Sequence, residues 1–258
     1  MRPTLRHALT RPFEVLRVLQ LLRAVSISPV SAAGYLLRIL FDRGWWRHLE
    51  SDIRRARQLC PENLGGWLDF SLASLLYALV RCRKPEVVVE TGVGPGASSA
   101  FILKALRDNG AGHLYSIDLP GNDALVYPQI GRAYDIHVPD GFDTGWLVRP
   151  DLRSRWTLLI GDTNEKLPLL LERVGRVDIF LHDSLHTDAH VNFELSTVLP
   201  HMKNTGLLLA DDVHDSWSTE FVRFCACNDL PYVVVRNRLG CAAMRGCETR
   251  DPIRANRT

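Results

Sequence analysis

The sequence predicts an α/β fold: one open sheet of seven strands, parallel except for the last, with helices between the strands and a helical extension ahead of them. Three observations predict it. Five apolar runs each end in a carboxylate: EVVVE at Glu90, LYSID at Asp118, TLLIGD at Asp162, VDIFLHD at Asp183, and GLLLADD at Asp211 and Asp212. Continuous apolar runs are the pattern of strands whose two faces are both covered by helices, as in parallel sheets, and stretches of helical periodicity separate them here. The last two strands are joined only by Arg236-Asn237-Arg238-Leu239-Gly240. That link is too short for a parallel crossover, so the seventh strand pairs antiparallel as a hairpin.

In chain order, residues 12–25 and 31–42 place apolar positions at helical spacing, with Pro29 between them. Further helices are predicted over 44–59, ending before Pro61, and over 66–81, after which Pro85 stops helix. Strands follow at 86–90, 113–118, 157–161, 177–182, 206–211, 231–236 and 240–245. The run from Pro120 to Arg155 is rich in Gly, Pro and Asp and contains Tyr127, Tyr134, Phe142 and Trp146. It reads either as a substrate-facing lid or as an ordinary connection with a short helix. The resulting division is a basic helical extension over 1–65, a catalytic domain over 66–247 and a flexible tail over 248–258.

A chain of 258 residues, 46% hydrophobic and 23% charged, can bury a full core, and its net charge of +2 points to no partner class. The distribution says more, because residues 1–60 hold eleven arginines against Glu14, Asp42, Glu50 and Asp52. Arg17, Arg23 and Arg38 interrupt the richest apolar stretches, which argues against a membrane span or a signal peptide. Cys60, Cys82, Cys225, Cys227, Cys241 and Cys247 lack the paired spacing of a zinc site, and the expected location is cytoplasmic with reduced thiols.

If the strands are parallel, the five acids lie along the carboxyl edge of one sheet, where open α/β folds bind their ligands. A row of carboxylates raises its own pKa values unless positive charge sits among them, so a cationic cofactor, a metal or both are expected there. The loop after the first strand reads Glu90-Thr-Gly92-Val-Gly94-Pro-Gly96-Ala-Ser98-Ser99 and runs into the helical AFILKAL. Glycines at such a turn let the backbone approach a ligand, and the helix amino end offers free N–H groups. Gly92, Gly94 and Ala97 also satisfy a permissive dinucleotide fingerprint, with Asp118 at the ribose-binding distance, and a tight turn without any ligand uses glycine too.

Glu90-x-Gly92-x-Gly94-x-Gly96 resembles the first motif of class I S-adenosylmethionine-dependent methyltransferases, whose sheet is Rossmann-like and ends in the same antiparallel hairpin. Asp183 and the Asp211-Asp212 pair, twenty-eight positions apart, are similar to the acids that hold magnesium in metal-dependent O-methyltransferases of the catechol, caffeoyl-CoA and macrolide-sugar type. YALVRCRKPEVVVETGVGPGASSAFILKAL, LYSIDLP and IFLHDSLHTDAH look most like a bacterial methyltransferase family, over about residues 74–246.

The resemblance implies S-adenosylmethionine as cofactor and a metal-assisted O-methylation of a small-molecule acceptor. Asp118 would accept the ribose hydroxyls, Glu90 and Ser98 would hold the methionine end, Asp162 the adenine, and Gly92, Gly94 and Gly96 would let the backbone pass. Glu90 as a mere loop anchor stays open. Asp183, Asp211 and Asp212 would hold Mg2+ or another hard divalent cation, which lowers the pKa of the acceptor oxygen. His186, three positions after Asp183, stands where the catechol enzymes carry a lysine, and an imidazole suits a base; Asp183, His182, His190 and His214 are alternatives. A homo-oligomer is expected and no nucleic acid partner. The amphipathic residues 1–25 suit packing on the domain or a second subunit more than a peripheral membrane contact. A nicotinamide-dependent oxidoreductase and a non-catalytic cofactor-binding scaffold remain as alternatives.

Overall fold

The computed structural model describes residues 12–59, 68–119, 126–127, 132–133, 142–214 and 218–244. Four helices come first: α1 (Pro12–Ala24), α2 (Pro29–Phe41), α3 (Arg43–Leu59) and α4 (Phe70–Arg83). Short polar residues set their ends. Ser28 caps α2 with Pro29 in the first turn, and Asp42 ends α2 while its Oδ1 accepts the Trp45 amide of α3 at 2.9 Å. Asp69 caps α4 by accepting from Ser71 N at 2.8 Å. Lys84, in the left-handed region at φ 47°, closes α4 immediately before Pro85. The predicted helix over 66–81 therefore begins and ends later than expected.

The strands β1 (Val87–Thr91), β2 (His113–Asp118), β5 (Trp156–Ile160), β6 (Val177–His182), β7 (Met202–Ala210), β8 (Tyr232–Val235) and β9 (Leu239–Ala243) form the main sheet, and β3 (Val126–Tyr127) pairs with β4 (Arg132–Ala133) apart from it. The order is β5-β2-β1-β6-β7-β9-β8. All pairs among the first five strands are parallel, and β9 runs antiparallel to both β7 and β8, as the short link requires. Helices α5 (Ala97–Asn109), α6 (Thr163–Val174), α7 (Asp188–Val198) and α8 (Glu220–Cys227) provide the crossovers and lead-ins. Thr91 stands opposite both Ile117 and His182, and His182 opposite Ala210. The carboxyl ends of four strands are thereby aligned.

The period of two along each strand divides the core between the faces. Val88, Ile179 and Leu207 pack with Leu21, Ile39, Trp45, Trp46, Leu76 and Phe101 on one side, while Val89, Phe180 and Leu208 pack with Leu171, Leu195 and Phe224 on the other. Trp45 meets Phe101 edge-on at 5.2 Å. The helices of residues 12–59 thus cover one face of the sheet and share its core. The tail lies outside the described residues, as do residues 1–11. Among the described residues no single helix is long and apolar enough to cross a membrane, although α2 turns Val30, Leu37 and Phe41 outward.

Candidate functional site

The loop between β1 and α5 is fixed by a buried carboxylate. Glu90 is wholly buried and accepts from Ser98 Oγ at 2.5 Å, Ser99 Oγ at 2.6 Å and Ser116 Oγ at 2.8 Å. Burial raises its pKa and the three hydroxyls work in the opposite direction. Trp156 Nε1 donates to Ser116 Oγ at 2.9 Å and completes the chain. Both Glu90 oxygens and the Ser98 hydroxyl are thus directed at each other, which favours the loop-anchor role over direct contact with a methionine end. Gly92 has φ +79°, and a Cβ there would lie 1.9 Å from the Asp183 carbonyl oxygen. Only glycine lets the loop pass beneath β6. At Gly96, φ +85°, a Cβ would lie 2.8 Å from Gly145 Cα; Gly145 N donates to Gly94 O at 2.8 Å and Leu147 N to Pro95 O at 2.9 Å. The described end of the long connection after β2 therefore lies on the glycine loop; most of residues 120–141 falls outside the described residues.

Asp118 closes the loop from the other side. Its Oδ2 accepts from Gly94 N at 2.8 Å and its Oδ1 from Leu119 N at 2.9 Å. Burial raises its pKa, against the pull of these amides. The Val93 amide also favours its charged form, and of the roughly four lone pairs of a carboxylate these amides leave capacity for a further donor. Asp162 is the N-cap of α6: its Oδ1 accepts from Asn164 N at 2.8 Å and Asn164 Nδ2 at 2.7 Å.

The strand ends continue the sheet's hydrogen bonding, with Asp183 N donating to Thr91 O and Asp211 N to His182 O, both at 2.8 Å. Asp183, Asp211 and Asp212 are thereby brought together. Burial first, then the charges of Asp211, Asp212 and Glu90, push the Asp183 carboxyl well above the usual range. Asp212, in the left-handed region at φ 52°, is raised by burial and by Asp211. The positive charge the edge requires comes from Arg238, in the link between β8 and β9. Its Nε lies 3.0 Å from Asp211 Oδ1, its Nη2 2.9 Å from Asp211 Oδ2, and its Nε 3.2 Å from Asp212 Oδ1. Burial opposes the Arg238 charge, but the hydrogen bond to Asp211 and the charges of Asp211, Asp212 and Asp183 outweigh it and raise its pKa.

This arrangement bears on the magnesium site expected at Asp183, Asp211 and Asp212. Among the described residues no group of three or more His, Cys, Asp or Glu side chains is arranged to hold a metal ion. The physical reason is that both oxygens of Asp211 already face a guanidinium, which also reaches Asp212.

His186 Nε2 lies 3.6 Å from Asp212 Oδ2, and its ring meets that of His182 edge-on at 5.2 Å. Burial, and next the neighbouring His182, lower its pKa to about 3, so the imidazole is neutral over the working pH range. Its Nδ1 is buried without a hydrogen-bond partner among the described residues. The backbone of His214 bridges to Ser218 beyond the acid pair. Beneath His186 lies a network absent from the sequence reading. Glu194 of α7, wholly buried, has Oε2 at 2.7 Å from His182 Nδ1 and Oε1 at 2.9 Å from His190 Nε2, and accepts from Thr91 Oγ1 at 2.5 Å and Ser184 Oγ at 2.8 Å. Its spacing of four from His190 on a helix was the one local signal.

Residues 89–213 match a family model described as a methyltransferase domain. Comparison with curated proteins finds no match. Among solved structures, the Podospora anserina methyltransferase PaMTH1 with bound S-adenosylhomocysteine is 15% identical, with a TM-score of 0.54 over 76% of this chain and 87% of that one. The O-methyltransferase TomG of Streptomyces achromogenes, involved in tomaymycin synthesis and solved with S-adenosylmethionine, is 16% identical, with a TM-score of 0.52 over 76% and 89%. The Bacillus cereus O-methyltransferase with S-adenosylhomocysteine is 13% identical, with a TM-score of 0.53 over 76% and 90%. At these identities the likeness is one of fold.

Proposed function

We propose that the chain, whose residues 89–213 match a methyltransferase-domain model and lie on the described sheet, transfers the methyl group of S-adenosylmethionine to a hydroxyl of a small-molecule acceptor. The observation that carries this reading is the joining of the glycine loop to Asp118 through the Gly94 amide, which sets a two-oxygen acceptor beside a bare backbone turn. The ligands of the Podospora, TomG and Bacillus proteins support the choice of cofactor. A nicotinamide cofactor would suit the glycine spacing alone.

Bound there, the cofactor supplies a methyl group on a sulfonium, open to in-line attack by an oxygen. The chain's own residues do the rest. Asp118, oriented by Gly94 and Leu119, offers its remaining acceptor capacity to a ribose hydroxyl. Glu90 holds Ser98 and Ser99 and so fixes the first turn of α5 against the cofactor loop. The edge formed by Asp183, Asp211 and Asp212 carries more acid than Arg238 neutralises, which favours a cationic ligand. As the acceptor oxygen forms its C–O bond, the C–S bond of the sulfonium would break to leave a neutral thioether; His186, neutral and beside Asp212, would take the acceptor's proton late in that step, a weak base whose imidazolium Asp212 would stabilise. No step is assigned to magnesium, because Arg238 already occupies Asp211.

Calorimetric titration tests the reading. S-adenosylhomocysteine should bind and NAD should not. Asp118→Ala removes a charge-assisted acceptor worth on the order of 1.5–3 kcal/mol per hydrogen bond, so affinity should fall about tenfold or more. Asp118→Asn, which keeps one oxygen acceptor, should lose less. Wild-type affinity for S-adenosylhomocysteine in both variants with the fold intact, or preferential binding of NAD, would remove the proposal.

A further inference from the structure

We propose that Arg238 is the resident cation of the carboxylate edge, a positioning residue that fills the place a divalent metal would need, so that the cofactor and acceptor sites assemble without a metal. The inference rests on the methyltransferase reading for its functional meaning, but its geometry stands apart from it. Two of the three candidate ligands are engaged by one guanidinium. Asp211 presents both oxygens to the fork formed by Nε and Nη2, at 3.0 and 2.9 Å, and the same Nε reaches Asp212 Oδ1 at 3.2 Å. A hard cation such as Mg2+ requires oxygen ligands at about 2.0–2.1 Å in a near-octahedral set, and a carboxylate whose two oxygens already face a guanidinium is a poorer ligand for it.

The pair is not a surface ion pair that solvent would weaken. The Asp211 side chain is 1% exposed and that of Arg238 33%, so the acid is desolvated and depends on its partner. Nor is the arginine a loose side chain that a metal would displace at little cost. Its backbone is held on both sides, with Val213 N donating to Arg238 O at 2.7 Å and Arg238 N to Val235 O at 3.2 Å. Two residues on, Gly240 pairs with Ala210, the residue before Asp211. A Cβ on Gly240 would lie 2.6 Å from the Phe221 ring and 2.9 Å from Val213 Cγ2, so the hairpin is pressed close against the acids. Close packing keeps the guanidinium at Asp211. Arginine also suits the role chemically, since its planar fork matches a carboxylate while an ammonium is a point charge. Fixed this way, the backbone turn at Asp212 presents its carboxylate to His186.

The test uses the full chain, with Mn2+ as the probe, read by electron paramagnetic resonance and by thermal melting. Wild-type protein should leave millimolar Mn2+ free, and its Tm should be the same with Mn2+ or with a chelator. Arg238→Gln should take up Mn2+, raising its Tm by about 5 °C or more, and adding Asp211→Asn should abolish that gain. Arg238→Lys should melt between wild type and Arg238→Gln. Should Arg238→Gln be unfolded without metal, recovery of a melting transition on adding Mn2+ is the same expected result. Stoichiometric Mn2+ binding by the wild type that Asp211→Asn removes would overturn the proposal, as would failure of Arg238→Gln to gain either binding or stability from Mn2+. A separate titration with S-adenosylhomocysteine, run with chelator and with Mg2+, keeps the two claims distinct. Equal affinity in both supports Arg238 as the cation, cofactor binding only with Mg2+ overturns it, and no binding in either removes the methyltransferase reading while leaving the Mn2+ result to decide on Arg238.

Discussion

Replacing Glu194 by Gln tests whether the buried network beneath Asp183 holds the site together. The substitution preserves volume and removes a charge. In the wild type four donors converge on two oxygens: Thr91 Oγ1 and His182 Nδ1 on Oε2, Ser184 Oγ and His190 Nε2 on Oε1. A glutamine turns one of those oxygens into an NH2 group that faces two former donors. The hydroxyl on that side can rotate to accept, which softens the loss, whereas a ring nitrogen must change tautomer or lose its bond. Hydrogen bonds to a charged acceptor are worth about 1.5–3 kcal/mol each, so weakening the two that face the new NH2 costs about 3–5 kcal/mol. For a chain of this size about 2–4 °C of Tm follows each kcal/mol, so the Tm should fall by roughly 6–20 °C. The sign with pH is fixed by the depressed pKa of Glu194. Burial resists its ionisation, but His182 and the hydrogen bonds hold it well below its ordinary 4.5. Its contribution is therefore fully present above about pH 4.5 and fades as pH falls through the lower folded value. Melting followed by circular dichroism should show a constant gap between wild type and variant near neutrality and a narrowing one in acid. A variant that melts within about 2 °C of wild type at neutral pH, or a gap that widens as the solution is acidified, would refute the reasoning.

Two further substitutions address the loop and the base. Gly92→Ala sets a Cβ 1.9 Å from a backbone carbonyl at φ +79°, where a non-glycine residue alone costs about 1 kcal/mol; it should lower the Tm and weaken S-adenosylhomocysteine binding about tenfold or more, and unchanged calorimetry would show that the turn can yield. His186, with a pKa near 3, should give a methyl-transfer rate that is flat from mildly acidic to mildly alkaline pH, measured with labelled cofactor on pools of hydroxylated acceptors. His186→Ala should lose about two to four powers of ten, and a wild-type rate that climbs through the ordinary imidazole range would show that the ring is not buried as described.

What was legible in the sequence was whatever a single strand or turn encodes. EVVVE, VDIFLHD and GLLLADD carry their apolar faces on both sides, and those strands lie at the centre of the sheet; the short link from Arg236 to Arg238 left no geometry but a hairpin. What escaped was set by long-range pairing. Glu194 meets Thr91, 103 positions away, and no local pattern reports that contact. The packing of the arginine-rich helices on the domain was expected from their apolar stripe, but the part of Trp45 and Trp46 in it shows only once both meet Phe101. Asp162 is a middle case, since Asp162-Thr-Asn-Glu165 is a capping signature readable in the sequence, and the N-cap is where the structure places it.

The same distinction sorts the acids at the strand ends. Each carboxylate at the edge required a partner, and the sequence pointed to ligands for these acids while leaving Glu90 open as a loop anchor. The fold supplies most of those partners itself: serine hydroxyls for Glu90, helix amides for Asp162, a guanidinium for Asp211. Asp118 and Asp183 differ. The first is bound only by loop amides that leave capacity for a further donor, and burial pushes it above its ordinary value. The second is raised by burial and by three acids, against one shared arginine. Carboxylates that the protein leaves incompletely compensated are those whose remaining partner comes from outside it, and these two flank the loop through Gly92 and Gly94, where a cationic ligand would lie.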